Sequence, residues 1–355
     1  MARTMRAFVI NKPHDTAVVE KPVPVAGPTE AVVRTTTAMI CTSDVHTVGG
    51  ALPVEPGRTL GHESVGVIEE LGSAVTGFEV GQRVLVCGLT PCWECDFCQR
   101  GFSSQCGGPL GGYKYTVQID GNMAEYFVVP AARANLTPIP DEISDAQAVY
   151  CCDMLTTGFA GAENCHLQFG ETVAIFAQGP VGLCATIGAR IMGAGRIIAV
   201  ESRPERQALA RRFGATDIVD FTVGDSVEQI MDLTEGAGVD AAVEAFGFPQ
   251  TFEACLRVTK PGGRISNIGY HGEDPSPLQV PLDAFGLGMN DKAIHTALCP
   301  GGSERMTRLL RLLQSGRIDP TPMTTHTFSF NQIEEAFALM SSKADGIIKP
   351  LITFA

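Results

Sequence analysis

Charge is scarce in this chain, and positive charge scarcer still. Charged residues are 18% of the 355, with 26 Lys and Arg against 39 Asp and Glu. So small a charged fraction beside 45% apolar residues excludes a disordered or coiled-coil protein. The formal net charge of −13 argues against a nucleic-acid partner or an anionic membrane surface. No apolar run reaches the roughly 18 residues that a membrane helix needs. The start, MARTMRAFVI, reads as a strand with no signal peptide. Internal repeats and low-complexity linkers are lacking too. Cysteine, by contrast, is plentiful. Twelve cysteines without a secretory signal point to a reducing compartment, hence the cytoplasm, and to thiols that bind metal or pack. The length suits one large or two medium domains with a substantial core.

From about Met5 to Pro130, short apolar or alternating runs broken by Gly and Pro predict a β-rich unit. From about Asp141 the pattern changes. A helix is expected over Ser144–Ala162, capped by Ser144 or Asp141. Alternating strands and helices follow: strand Thr172–Phe176, strand Ile197–Val200, helix Pro204–Phe213 and strand Asp217–Val219. Then come helix Val227–Leu233, strand Val239–Ala245, helix Pro249–Val258, strand Gly263–Gly269 and strand Ala293–Ala297. That alternation predicts a six-strand doubly wound parallel sheet, an α/β fold, from about Thr157 to Leu298. The tail offers helices over Ser303–Ser315 and Asn331–Ser341 and a last strand, Lys349–Phe354, expected to rejoin the first unit.

Within the second unit, the strand Thr172–Phe176 runs into Ala177-Gln178-Gly179-Pro180-Val181-Gly182 and then a helix. This is the strand–turn–helix of a dinucleotide site. Gly179 lets backbone approach a pyrophosphate, Gly182 lets the helix sit close on the strand, and the helix N-terminus, opened by Pro180, offers N–H groups from Val181 onward to phosphate. Glu201, ending the next strand, is placed to accept the adenosine ribose hydroxyls. Ala177 stands where the first glycine of such a pattern belongs. Because alanine resists positive φ, an altered turn is expected there.

The other motif is Cys92-x2-Cys95-x2-Cys98-x7-Cys106. Four thiolates on one short loop suit a tetrahedral structural zinc. Free or redox thiols are the alternative. A ferredoxin run has a nearer fourth cysteine followed by Pro, whereas Gly107 follows here. Cys41, His62 and Asp153 lie too far apart for spacing alone to make them ligands.

Together, Cys41-Thr42-Ser43-Asp44-Val45-His46-Thr47, Gly61-His62-Glu63, Asp153-Met154 with Thr156-Thr157-Gly158, Gly193 to Val200, and Leu298-Cys299-Pro300-Gly301-Gly302 carry a resemblance. The chain resembles the zinc-dependent medium-chain alcohol dehydrogenases, within them the microbial tetrameric secondary-alcohol dehydrogenases. The likeness spans nearly the whole chain. It implies a GroES-like catalytic domain over 1–156 with the structural zinc lobe near 92–106, a Rossmann domain over 157–298, and a C-terminal part, 299–355, returning to the catalytic domain. It implies two zinc ions per chain, with Cys41, His62 and Asp153 holding the catalytic one and leaving a position for substrate. It implies that Glu63 can approach that ion or serve it by hydrogen bonding. Ser43 and His46 match a proton relay of hydroxyl, cofactor ribose and imidazole. Tyr113, Tyr270, Leu298 and Cys299 would line the substrate pocket. Tyr113 replaces a frequent Trp, and with Gly88 beside it a larger pocket is expected.

The implied activity is oxidation of secondary alcohols to ketones, and the reverse, by a cytoplasmic homotetramer whose partner is the small-molecule alcohol or ketone. Relatives that use NADP carry Gly-Ser-Arg-Pro where this chain has Glu201-Ser202-Arg203-Pro204. Ser202 and Arg203 could hold a 2′-phosphate, but Glu201 would repel it, so NAD is expected over NADP. The alternatives are a primary-alcohol, polyol or threonine dehydrogenase, an NADP-dependent ketone reductase, and a non-catalytic zinc-loop protein with one zinc.

Overall fold

A computed structural model describes residues 3–274 and 276–354. The chain forms two compact units, one of residues 1–156 with 299–355 and the other of 157–298.

The first unit is built on strands whose inward residues are Val, Ile, Leu and Phe. β1 (Thr4–Lys12) lies between β2 (Asp15–Pro22) and the short β4 (Arg58–Thr59), and β3 is Ala31–Met39. β5 (Ser64–Leu71), β6 (Arg83–Val86), β7 (Tyr126–Val129) and β8 (Leu136–Pro138) complete the N-terminal strands. β3 is the hub, pairing antiparallel with both β5 and β7. Ala31, Val33, Ile68, Val84, Val86, Phe127 and Leu136 fill one core.

The second unit is a six-stranded parallel sheet. In chain order its strands are β9 (Thr172–Phe176), β10 (Arg196–Val200), β11 (Asp217–Val219), β12 (Val239–Glu244), β13 (Thr259–Asn267) and β14 (Ala293–Thr296). They are arranged β11-β10-β9-β12-β13-β14, which is the doubly wound fold. Continuous apolar runs such as Thr172–Phe176 suit strands covered on both faces. Phe176, Ile198, Val200, Val219, Ala242 and Ile265 are buried there.

The chain then returns to the first unit. β15 (Thr324–Ser329) pairs with β16 (Lys349–Thr353), and β16 pairs with β3, giving a seven-stranded sheet. The helix Ile333–Ser342 packs Ile333, Phe337 and Met340 against Phe8, Ile40 and Leu60.

The helix expected over Ser144–Ala162 is broken. Ser144 caps a short helix, Asp145–Ala148, through Gln147. A 3-10 turn spans Val149–Cys151, and a new helix runs Met154–Asn164. Cys152 and Asp153 lie in the break, where the Cys152 carbonyl accepts the Gly88 N–H at 2.9 Å and ties this point to a distant loop.

Candidate active site

Two groups of metal-binding side chains occur among the described residues. One donor atom from each of Cys41, His62, Glu63 and Asp153 lies within 4.8 Å of the others, and the same holds for Cys92, Cys95, Cys98 and Cys106. A thiolate, an imidazole and two carboxylates suit zinc, as do four thiolates.

The first group is assembled from three loops of the first unit. Cys41 is the N-cap of the helix Thr42–Val48. His62 and Glu63 follow Gly61, whose φ of +95° turns the chain just before β5. Asp153 comes from the helix break. His62 Nε2 is 3.2 Å from Asp153 Oδ2, and Cys41 Sγ is 3.9 Å from the same oxygen. Ser43 Oγ is 3.5 Å from His62 Nε2, so its hydroxyl borders the donor cluster. His46, half-buried, follows Ser43 by three residues and shares its helix face.

Two charged residues of this centre were not singled out from sequence. Asp44 is fully buried; its Oδ2 accepts the Cys41 N–H at 2.8 Å, and Oδ1 lies 3.3 Å from His62 Nδ1. Asp44 and the Tyr113 hydroxyl thus flank Nδ1, while Nε2 is turned to the donors, the side from which a metal-ligating histidine would bind. The place of Asp44 in the Cys41–Thr47 motif was the available signal. Lys349 is the other, its Nζ 2.6 Å from Glu63 Oε2, and nothing local in the sequence marks it.

Burial disfavours a charged His62, but Tyr113, Asp44 and Asp153 outweigh it and raise its pKa well above the usual value. A metal ion would compete with that proton. Burial pushes the Glu63 carboxyl up to about 7, against the pull of Lys349. Burial alone would discharge Lys349; Glu63 reverses this and raises its pKa.

Tyr113 lies edge-on to His62, ring centroids 5.1 Å apart, with its hydroxyl 3.3 Å from Nδ1. Cys299 is buried, its Sγ 3.9 Å from the Cys152 carbonyl. Tyr270 and Leu298 belong to the second unit, where the Tyr270 ring folds over Gly272. Gly88 does not provide the extra room expected of it. A Cβ there would sit 2.9 Å from the Cys152 carbonyl oxygen and 3.5 Å from the Asp153 Cβ, so the glycine serves close backbone packing behind the metal donors.

The cysteine loop holds a short helix, Asp96–Gln99, and a 3-10 turn, Ser103–Gln105. Cys95 Sγ and Cys98 Sγ are 3.5 Å apart, and the Glu94 and Cys95 N–H groups donate to Cys92 Sγ at 3.4 Å. N–H donors of Cys98 and Gly107 lower the Cys95 thiol to about 6, whereas burial pushes Cys98 up to about 12. Trp93 pins the loop, donating to Asn135 Oδ1 at 3.0 Å and packing against Gly302.

In the second unit, Gly179 caps the helix Pro180–Ile191, with Pro180 at its start. A Cβ on Gly179 would meet nothing within 4 Å, which leaves the approach to the helix N-terminus clear for a phosphate. A Cβ on Gly182 would strike the Ala177 carbonyl oxygen at 2.0 Å, so only glycine fits. The altered turn expected at Ala177 is not found. Ala177 adopts φ +70°, the glycine conformation, because its N–H bonds to Val200 and its carbonyl must fit against Gly182. Alanine pays about 1–2 kcal/mol for this. Ala177→Gly is therefore expected to stabilise the chain by about 0.5–1 kcal/mol, after the greater freedom of the unfolded chain is deducted. A rise in the thermal midpoint checks it, and a fall would count against the strain.

Glu201 is 5% exposed at the end of β10. Its Oε2 accepts the Gln178 N–H at 3.1 Å, its Oε1 accepts the Ser202 and Arg203 N–H groups at 2.9 and 3.1 Å, and Arg206 Nη1 is 3.7 Å from Oε2. The glycine turn and this carboxylate are thereby one anchored assembly, and together they fit a nicotinamide dinucleotide.

Comparison with known proteins agrees with this chemistry. The family model described as zinc-binding dehydrogenase matches residues 180–315, and the alcohol dehydrogenase GroES-like domain matches residues 27–141. An alcohol dehydrogenase of Cupriavidus necator is 47% identical over 363 residues, covering 98% of each chain. The NADP-dependent isopropanol dehydrogenase of Thermoanaerobacter brockii is 46% identical, covering 95% of this chain and 96% of its own. Among solved structures, the alcohol dehydrogenase TADH from Thermus sp. ATN1 superimposes with a TM-score of 0.89 at 30% identity, covering 99% of this chain and 100% of its own.

Proposed function

The chain belongs to the zinc-dependent medium-chain alcohol dehydrogenases and is an oxidoreductase acting on alcohols, and on that premise we propose that it interconverts secondary alcohols and ketones with NAD. The observation that carries the reading is the convergence of Cys41, His62 and Asp153, with Ser43 at their edge. Those three residues would hold the catalytic zinc, which supplies a Lewis acid for the alcohol oxygen, while the nicotinamide supplies the hydride acceptor. Asp44 and Tyr113 flank Nδ1 of His62 and leave Nε2 facing the other donors. Ser43 Oγ takes the alcohol proton, and His46, on the same helix face, returns it to solvent. Tyr113 walls the substrate beside His62.

Secondary-alcohol specificity is supported by relatives named isopropanol dehydrogenases. Those relatives are also named NADP-dependent, and on cofactor this chain is read differently because of Glu201. A 2′-phosphate would meet a buried carboxylate that three N–H groups hold in place, whereas ribose hydroxyls can donate to it. A homotetramer in the cytoplasm is part of the same proposal, and sedimentation would measure the assembly.

The test is the initial rate from propan-2-ol with NAD and NADP side by side. Turnover favouring NAD is expected. Turnover with NADP alone would mean that Ser202, Arg203 and Arg206 outweigh Glu201, and none with either would sink the secondary-alcohol reading. Glu201→Gly is expected to move the kcat/KM ratio toward NADP by about 10²-fold, since removing a like-charge contact is worth a few kcal/mol. An unchanged ratio would refute the role of Glu201.

A further inference from the structure

The doubly wound sheet has two halves, one for each mononucleotide of a dinucleotide. Gly179 and Glu201 belong to β9 and β10, the adenosine half, which leaves β12, β13 and β14 to the nicotinamide half. The halves meet where β9 lies beside β12. There the last residue of β12 is Glu244, level with Phe176 on one side and with Asn267 on the other. Phe176 directly precedes the glycine turn. A fully buried carboxylate thus stands at the crevice where the strand order reverses.

Glu244 is held, as Glu201 is, by the turn that follows its strand. Its Oε1 accepts the Phe246 and Gly247 N–H groups at 3.0 and 2.8 Å and the Thr251 hydroxyl at 2.7 Å. Its Oε2 lies under the turn after β13, where a Cβ on Gly269 would strike it at 2.2 Å. The two carboxylates differ in countercharge. Glu201 has Arg206, whereas no Lys or Arg pairs with Glu244 among the described residues, and its Oε2 accepts no hydrogen bond there. His271 Nε2 is 3.5 Å from Oε2 but donates instead to Asn267 Oδ1 at 2.7 Å. That amide is oriented by its own Nδ2, which donates to the Gly269 carbonyl at 3.1 Å. His271 Nδ1 is buried and meets no partner among the described residues.

The nicotinamide ring is cationic when oxidised and neutral when reduced. A fixed anion without a countercharge, on the nicotinamide side of the crevice, acts on the first form and not on the second. We propose that Glu244 sets the redox preference of the cofactor site: its buried charge strengthens binding of the oxidised nicotinamide relative to the reduced one. The proposal rests on the reading of this unit as a nicotinamide dinucleotide site, and goes beyond it to which form of the cofactor is held more tightly.

The test measures dissociation constants on the full chain, for NADH by its fluorescence and for NAD by calorimetry. Adenosine 5′-monophosphate probes the adenosine half alone. In Glu244→Gln, which keeps the shape and removes the charge, the affinity for NAD relative to NADH is expected to fall about tenfold, while the monophosphate binds as before. His271→Lys, which sets a permanent cation beside Oε2, is expected to move the ratio the same way. A carboxylate that merely braced the turn would, on substitution, weaken NAD and NADH alike. That result, or an unchanged ratio, overturns the proposal and leaves the cofactor reading standing.

If Glu244→Gln does not accumulate, His271→Lys alone decides, and failure of both to fold overturns the proposal. Should NADP bind more tightly than NAD, the same ratio is read with NADP and NADPH. An unaltered protein that binds none of the four would overturn the cofactor reading as well.

Discussion

Cys41→Ser is expected to leave one zinc per chain where two are proposed, and to slow propan-2-ol turnover by at least about 10³-fold. The substitution is close to isosteric, and position 41 is the N-cap of Thr42–Val48, a place serine favours. Fold and thermal midpoint should therefore hold while the soft thiolate is lost. His62, Glu63 and Asp153 would remain, but without the soft thiolate this centre holds zinc far more weakly. Without the ion, the alcohol keeps an ordinary, high pKa, and Ser43 has no acidified proton to take. The loss of a Lewis acid worth several kcal/mol sets the size of the effect. Metal analysis and steady-state rates check it together. A variant with two zinc ions per chain and near-normal rates would remove Cys41 from the ligand set.

The second large effect belongs to the cysteine loop and runs the other way. Cys98→Ser should also leave one zinc per chain, but lower the thermal midpoint by about 10 °C, because structural zinc contributes folding energy outright. Apart from the Trp93 anchor, the loop packs little apolar surface. Its large apolar residues point outward, with Phe97 37%, Phe102 53% and Leu110 49% exposed. Trp93 and Leu110 adopt positive φ, a conformation L-residues hold only under outside constraint. The Cys41-centred site shares no donor with this loop, so propan-2-ol turnover should survive at low temperature. An unchanged midpoint in the variant, together with four reactive thiols at 92, 95, 98 and 106 in the unaltered protein, would favour free cysteines over a metal.

Much of the doubly wound sheet could be read residue by residue. Pro204–Phe213, Asp217–Val219 and Pro249–Val258 occur in the structure with the bounds their patterns predict, because caps, Pro at the first helical turn and buried apolar runs are local signals. The Ser144–Ala162 segment was misread because a partner remote in sequence interrupts it. The Gly88 N–H takes the Cys152 carbonyl, and periodicity cannot register that. Ala177 was misread for a related reason: fit against Gly182 and the bond to Val200 override the intrinsic preference of alanine. In the metal centre, Cys41, His62 and Asp153 came from resemblance rather than spacing. Asp44 lay inside a quoted motif without a role, and Lys349 went unseen because only the pairing of β16 with β3 brings it to Glu63.

That pairing also bears on how the protein is made. β3 is synthesised early, yet its partner in β16 leaves the ribosome about 300 residues later. At 5–20 residues per second this is a delay of roughly 15–60 s. During it, one side of β3 from Thr37 to Met39 presents unpaired N–H and C=O groups, an open template for a strand of another nascent chain. The six strands of the second unit, contiguous in sequence, face no such wait. Translation pauses placed after Leu298 would lengthen the exposure, so yield of soluble protein should fall with slow codons in the final segment and recover with a chaperone that shields strand edges.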